Sequence, residues 1–265
     1  MLPIKKLYID SRFKSSDSVS DSNFKIDLPQ NLLMPSATGF YIDDICIPVS
    51  WYVIDEGRNN HLYYRVNGAV TYGIIPSGNY SLVNLNEAIV NVMNSAFPNH
   101  FKSSPSVREN KVGIDGLTSA TFEILTDSQL ASAGFTTSSP YSINNVLRNF
   151  TPQIINSSSN FKWGSGYVDL MPIRNLYIVS SGLGSFNTMS VSGERSIVKK
   201  VPVNAGYGEM IYDQSLVGID YLDCSHQTLS RLSFQLKDVF GNVVDLHGQH
   251  WSFSIVFSRI QEIMN

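Results

Sequence analysis

The sequence predicts a mainly β chain, a β-sandwich carrying a small α+β insertion, and three observations carry that prediction. Apolar and polar residues alternate with period two at both ends of the chain; a long helical period occurs once, in the middle; and turn residues break the alternating runs at short intervals. The clearest alternation lies near the C-terminal end. Leu232, Phe234 and Leu236 point one way, and Arg231, Ser233, Gln235 and Lys237 the other. Further on, Trp251, Phe253, Ile255 and Phe257 share one face, opposite Ser252, Ser254 and Ser258. Between these runs stands Asp238-Val239-Phe240-Gly241-Asn242, so they read as two strands joined through a Gly-Asn turn.

The remaining elements follow in order. Leu7-Tyr8-Ile9 opens a strand, and residues 15–22 form a polar loop. Phe24, Ile26 and Leu28 alternate with Asn23, Lys25 and Asp27 until Pro29 stops the run. A second run covers residues 40–47 and ends at Pro48; a third covers 63–68 and enters a turn at Asn67-Gly68. Ser81 is a good N-cap for a helix whose buried face is Leu85, Ile89, Val92, Met93 and Ala96, with Pro98 at its end. Residues 112–115 and 121–125 read as short strands, and Asp127 caps a short helix through Ala133, with Gly134 just past its end. Residues 151–165 are rich in Ser and Asn and read as loop; strands return at 175–180, 196–203 and 219–222. Neither half stands alone as a domain. The expected division is therefore a sandwich or jelly roll built from 1–68 and 151–265, around an α+β insert at 69–150.

Composition narrows the function. With 43% hydrophobic residues the chain can build a core, but only 15% are charged, against roughly a quarter in average soluble domains. The polar surface must then come largely from Ser, Asn, Thr and Gln, which suits a surface covered by neighbouring subunits and equally a plain extracellular β domain. A net charge of −3 without a basic run gives no footprint for nucleic acid. Nothing approaches the ~20 apolar residues of a membrane span, and the basic pair Lys5-Lys6 is not followed by the apolar run of a secretory signal. The two cysteines, Cys46 and Cys224, stand in no metal or redox spacing; free buried thiols are the plain reading and a Cys46–Cys224 disulfide the alternative. Sequons at Asn79, Asn149 and Asn156 read as chance matches in a Ser/Asn-rich chain.

Catalytic motifs fare poorly. His247 and His250 are spaced i, i+3, which on a strand puts them on opposite faces. Asp43-Asp44 and Asp55-Glu56 are sequence neighbours that diverge in extended chain and read as solvated acids. Ser181-Gly182-Leu183-Gly184-Ser185 lacks the third glycine and the following helix of a dinucleotide loop. A cupin-like oxygenase needs a His/Glu set on neighbouring strands, and His61, His100 and His226 sit in no such spacing. The sequence thus offers no catalytic, cofactor-binding or metal residue, and the chain reads as a non-enzyme without a cofactor. Tyr63, Tyr64 and Tyr72 can line an exposed face, which keeps a sugar platform as a minor option.

Several segments resemble a known family when taken in order. They are residues 7–12 (LYIDSR), 22–28 (SNFKIDL), 45–54 (ICIPVSWYVI) and 75–82 (IPSGNYSL) before the helix. Phe122-Glu123-Ile124 then precedes residues 130–135 (LASAGF), and residues 232–238 (LSFQLKD) with Gly241-Asn242 lead to 251–255 (WSFSI). This order resembles the minor capsid (penton) proteins of virophages and of Polinton/Maverick elements, over most of the chain. The resemblance implies a single jelly roll with an insert and five copies plugging each icosahedral vertex. The surrounding facets would be a double jelly-roll major capsid protein, and the protein would sit in the virion after assembly inside the host cell. That major capsid protein is itself a poorer match, since two jelly rolls need a longer chain. The family has no catalytic residues to carry over. The alternative is a β-sandwich binding module, such as a glycan- or receptor-binding spike.

Overall fold

The structure is a computed structural model, and it describes residues 2–135, 141–156, 161–183, 188–191, 193–214 and 221–259. In chain order the first elements are β1 (Lys6–Asp10), β2 (Asn23–Leu33), β3 (Thr38–Pro48), β4 (His61–Val66), β5 (Ala69–Ile74) and α1 (Leu82–Ala96). Next come β6 (Phe101–Ser103), β7 (Gly113–Gly116), β8 (Phe122–Ile124), α2 (Asp127–Leu130), α3 (Asn144–Leu147) and β9 (Lys162–Gly164). The last are β10 (Asn175–Val179), β11 (Ile197–Pro202), β12 (Met210–Asp213), β13 (Leu222–Asp223), β14 (Thr228–Lys237) and β15 (Ser252–Arg259). The fold is mainly β, with several antiparallel sheets.

The chain divides into two compact units, Met1–Trp51 with Ile173–Asn265, and Tyr52–Pro172. The middle unit is wider at both ends than the insert expected at 69–150. At its start, the two-residue turn Asn67-Gly68, both residues at positive φ, forces β4 to pair with β5, so β4 belongs with the middle segment. At its end, β9 pairs with β7, and Ile155 bridges Phe122, so residues read as loop are held in sheet.

In the first unit one sheet has the order β1-β15-β3-β12, with β13 also on β3, and the other β11-β10-β14-β2. Both sheets therefore combine strands from the two ends of the chain: they alternate in the first, and in the second β2 joins three strands from the C-terminal part. Alternation sends Phe24, Leu232, Phe234 and Leu236 from one sheet, and Phe40, Ile42, Phe253, Ile255 and Phe257 from the other, into a single buried cluster. Four aromatics knit it. Phe234 meets Phe253 edge to face at 4.9 Å, Phe24 meets Trp251 at 5.6 Å and 82°, Phe24 lies 5.6 Å from Phe234, and Trp251 stacks on Phe253 at 5.0 Å. Each such pair contributes about 0.5–1.5 kcal/mol beyond area burial.

This geometry corrects the expected joining of β14 and β15 through a Gly-Asn turn. The turn forms at Asp238, whose carboxylate accepts from the N–H groups of Phe240 and Asn242. The two strands nevertheless lie in different sheets, because their apolar faces meet across the core. A second correction concerns Pro29, which does not end β2. The β2–β14 register slips between the Leu32–Leu229 and Asp27–Arg231 pairs, and Pro29 falls inside the slip on an edge strand, where no ladder N–H is needed. Sequence reading missed β12 and found β13 only in part, since residues 219 and 220 lie outside the described ones. Cys46 pairs opposite Ser252, whereas Cys224 hydrogen-bonds Thr38 at the other end of β3. Eight residues of strand separate these points by roughly 26 Å, so the disulfide alternative falls and both thiols are free.

The second unit holds two three-stranded sheets, β5-β4-β8 and β6-β7-β9, and α1. Ser81 caps α1 by accepting the N–H of Asn84, as expected. The buried face of α1 is Leu82, Leu85, Asn86, Ile89, Val90 and Met93; Ala96, placed there by periodicity, is exposed. Asn86 is admitted because its amide is used: Nδ2 donates to the Gly113 carbonyl (3.0 Å) and Oδ1 accepts the Gly113 N–H (2.7 Å). Gly113 is required there, since a Cβ would lie 2.2 Å from the Ser104 carbonyl oxygen. Helix α2 is shorter than expected and is capped by Thr126 in a capping box with Gln129 rather than by Asp127; Gly134 follows at φ +87°.

Two outcomes are expected. Phe234→Ala should cost about 3–5 kcal/mol in denaturant unfolding, whereas Phe13→Ala, at a site 77% exposed, should change stability by less than ~0.5 kcal/mol. Thiol titration without reductant should find Cys224 only after denaturation, because burial pushes its pKa up to about 12, whereas Cys46, half-buried on the outer face of β3 with its pKa raised by partial burial, should react slowly in the native protein.

Candidate functional surfaces

Strand alternation fixes what the first unit shows outward. On the β1-β15-β3-β12 sheet the residues opposite the core are Lys6, Tyr8 and Asp10 on β1, the serines and Val256 on β15, Tyr41, Asp43 and Cys46 on β3, and Tyr212 on β12. Tyr8 is 75% and Tyr212 68% exposed, at the two edges of one sheet. Between them Tyr41 meets Tyr221 edge to face at 5.1 Å. Charge on this face is compensated locally. Lys6 hydrogen-bonds Asp44 and lies 3.6 Å from Asp43, and its ammonium sits 5.5 Å from the Tyr8 ring centre. That hydrogen bond raises the Lys6 pKa and lowers that of Asp44. Ser254, fully buried beneath, donates to the Asp43 carbonyl (3.1 Å) and sits 3.2 Å from the Asp44 carboxylate. Asp44 reaches this cluster because β3 carries one extra residue opposite β15, with Asp44 at φ +49°.

The other sheet carries a cleft on its outer face. Tyr177, Val179 and Ile197 form its floor, and Met189, Val191 and Val239 its walls, enclosing about 270 Å³. Lys237 bonds Glu194 at 2.8 Å in the lining, and this contact holds the Glu194 carboxyl below its usual range. Met189, Val191 and the neighbouring Phe240 are 69%, 101% and 77% exposed. The first unit thus offers apolar surface outside both of its sheets.

Residues singled out in the sequence are dispersed. His247 bonds the Ser50 carbonyl through Nδ1 (2.9 Å), while His250 bonds Asp21 (3.0 Å), so the pair shares no ligand. Asp43 and Asp44 form the lysine cluster just described. Asp55 closes a turn with Asn59, whose Oδ1 accepts the Asp55 N–H. Gly182 lies against the β14 backbone and Leu183 is fully buried; Gly184 and Ser185 lie outside the described residues. His100 bonds the Pro98 carbonyl through Nδ1 (2.9 Å), and His226 occupies a turn at φ +60°. Asn149 is 2% exposed and its amide faces the carbonyls of Ile124 and Leu125, which removes it as a glycan acceptor. Among the described residues no group of three or more His, Cys, Asp or Glu is placed to hold a metal, and no helix is long and apolar enough to cross a membrane.

The tyrosine reading needs correction. Tyr63 and Tyr72 are cross-strand partners on one face, but Tyr64 points to the other, is 1% exposed, and packs on Phe97. His61 and Tyr141 join Tyr63 and Tyr72 instead. The Asn67-Gly68 turn was the available signal, since a two-residue turn there pairs 63 with 72 and 61 with 74.

No protein-family model and no curated protein matches this chain. Among solved structures it is similar to the mavirus penton protein, known from a crystal structure of its selenomethionine-labelled form. The TM-score is 0.55 at 9% sequence identity, and the likeness covers 96% of this chain and 98% of that one. It is a likeness of fold, running the length of both chains, and it bears out the resemblance carried by the ordered sequence segments.

Proposed function

We propose that this chain is a structural capsid protein with no catalytic role. In this reading the first unit is a single jelly roll and the Tyr52–Pro172 unit its insertion; five copies form the plug at each icosahedral vertex, among facets of a double jelly-roll major capsid protein. The observation that carries it is the end-to-end likeness to a penton protein, which spans both units. The surface supports it independently. A ring closed by rotation uses two different patches on each copy, and the first unit has exposed apolar surface outside both sheets, Tyr8 and Tyr212 on one and the Met189–Val239 cleft on the other. Low charge and local pairing of Lys6 with Asp44 suit such burial, since unpaired charge is costly to desolvate.

Two outcomes follow. Co-produced with a double jelly-roll major capsid protein, a tagged copy should label the five-fold vertices of the particles in electron micrographs; label on the facets, or its absence from intact particles, would contradict the reading. Tyr8→Ser and Tyr212→Ser should each weaken self-association by roughly tenfold or more in sedimentation, while thermal unfolding stays near that of the unsubstituted protein.

A further inference from the structure

We propose that the outer face of the β5-β4-β8 sheet binds a neutral carbohydrate, with a pyranose ring laid against Tyr72 and Tyr141 and a sugar hydroxyl donating to Nε2 of His61. The inference goes beyond the capsid reading and does not depend on it.

The backbone builds this face from three separate segments. The Asn67-Gly68 turn sets Tyr72 opposite Tyr63 and Ile74 opposite His61. On the other side of His61, its N–H donates to the Tyr141 carbonyl (2.7 Å), and its carbonyl accepts the Ile143 N–H (2.9 Å). Four rings consequently gather with similar orientation. His61 lies 6.0 Å from Tyr63 and 5.5 Å from Tyr72, each pair within 21° of parallel, and 5.5 Å from Tyr141 at 34°. Phe135 closes on Tyr63 edge to face at 4.7 Å. Tyr63 is nearly buried by this packing, yet Tyr72 remains 50% and Tyr141 40% exposed. The core of this unit takes Tyr64, Phe101, Phe122 and Trp163 almost completely; Phe150 and Tyr167 are also exposed, but Tyr72 and Tyr141 are the exposed tyrosines gathered with His61.

Chemistry on this face selects the ligand. An aromatic face carries negative quadrupole density, which favours the C–H face of a sugar. His61 supplies an acceptor. Its Nδ1 faces Asn60 Oδ1 at 3.0 Å, and that oxygen can only accept, so the proton sits on Nδ1 and Nε2 keeps its lone pair. Burial lowers the His61 pKa, which keeps the ring neutral at neutral pH. The charges next along the face, Arg65 and Glu123, pair with each other, and Gln129 donates to Glu123 (3.0 Å). An uncharged patch of ring faces with a hydroxyl acceptor complements an uncharged polyol rather than a phosphate, a carboxylated sugar or a basic peptide.

Saturation-transfer difference NMR on the full chain tests this, using the methyl glycosides of glucose, galactose, mannose and N-acetylglucosamine as probes. Saturable transfer to at least one is expected, strongest at the C–H protons of one ring face, with Kd on the order of 1 mM. Tyr72→Ala and Tyr141→Ala should each weaken it about tenfold, Tyr72→Phe should retain it, and His61→Phe should weaken it without changing the circular dichroism spectrum. No transfer to any probe would overturn the proposal, as would transfer unchanged by both tyrosine substitutions. Loss of self-association in Tyr72→Ala without any sugar signal would also overturn it and would assign the face to a second copy of the chain.

Discussion

The packing of Phe24 and Phe234 against Trp251 and Phe253 is the contact on which the first unit depends. These rings come from near both ends of the chain and from both sheets, so neither sheet has a closed core until the other is present. Polar groups around Trp251 fix the contact in place. Its indole N–H donates to the Asp21 carbonyl (2.7 Å), and its backbone exchanges hydrogen bonds with Ser11 (3.0 and 3.1 Å). The N-terminal segment is thereby tied to the start of β15, and β1 continues the tie as an antiparallel partner of that strand. A core closed in this way tolerates a long excursion between Trp51 and Ile173, because loop-closure cost rises only as the logarithm of length, about 0.6 kcal/mol per doubling.

Strands that bury one face must present the other, and here that other face carries few unpaired charges. Ser254 lies buried on the outward side of β15, sheltered under the Lys6 and Asp44 pair, while Tyr8 and Tyr212 stand in solvent at the sheet edges. Such a face suits the contact with another copy proposed above. The second unit treats its aromatics differently: its core is filled by Tyr64, Phe101, Phe122 and Trp163, while Tyr63, Tyr72 and Tyr141 gather around His61. The proposed assembly surface and the proposed ligand surface thus fall in different units of one chain.

Much of this was legible in the sequence wherever one rule acted alone. Period two placed β14, β15, β2 and β3, and Ser81 with its helical period placed α1. Failures came where tertiary partners decide. The Gly-Asn turn after β14 suggested adjacent strands, but the apolar faces of β14 and β15 satisfy each other across the core, which no local pattern reveals. Pro29 reads as a stop unless its strand is known to be at an edge. Strand β9 is three residues long and owes its existence to pairing with β7. On the surface, Tyr63 and Tyr72 could be paired from the Asn67-Gly68 turn, whereas Tyr141 reaches them through backbone bonds to His61 that the sequence does not announce. The ordered segments that resemble penton proteins carried the architecture further than any single motif, and the fold likeness rests on the same long-range arrangement rather than on identity, which is 9%.

The central claim is that this is a ring-forming shell subunit, and its mass in solution tests that most directly. Light scattering on the purified chain, with negative-stain images of the same peak, should give five times the 29.5 kDa chain mass and rings of five-fold symmetry. A trimer, or a ring of any other order, would contradict the account.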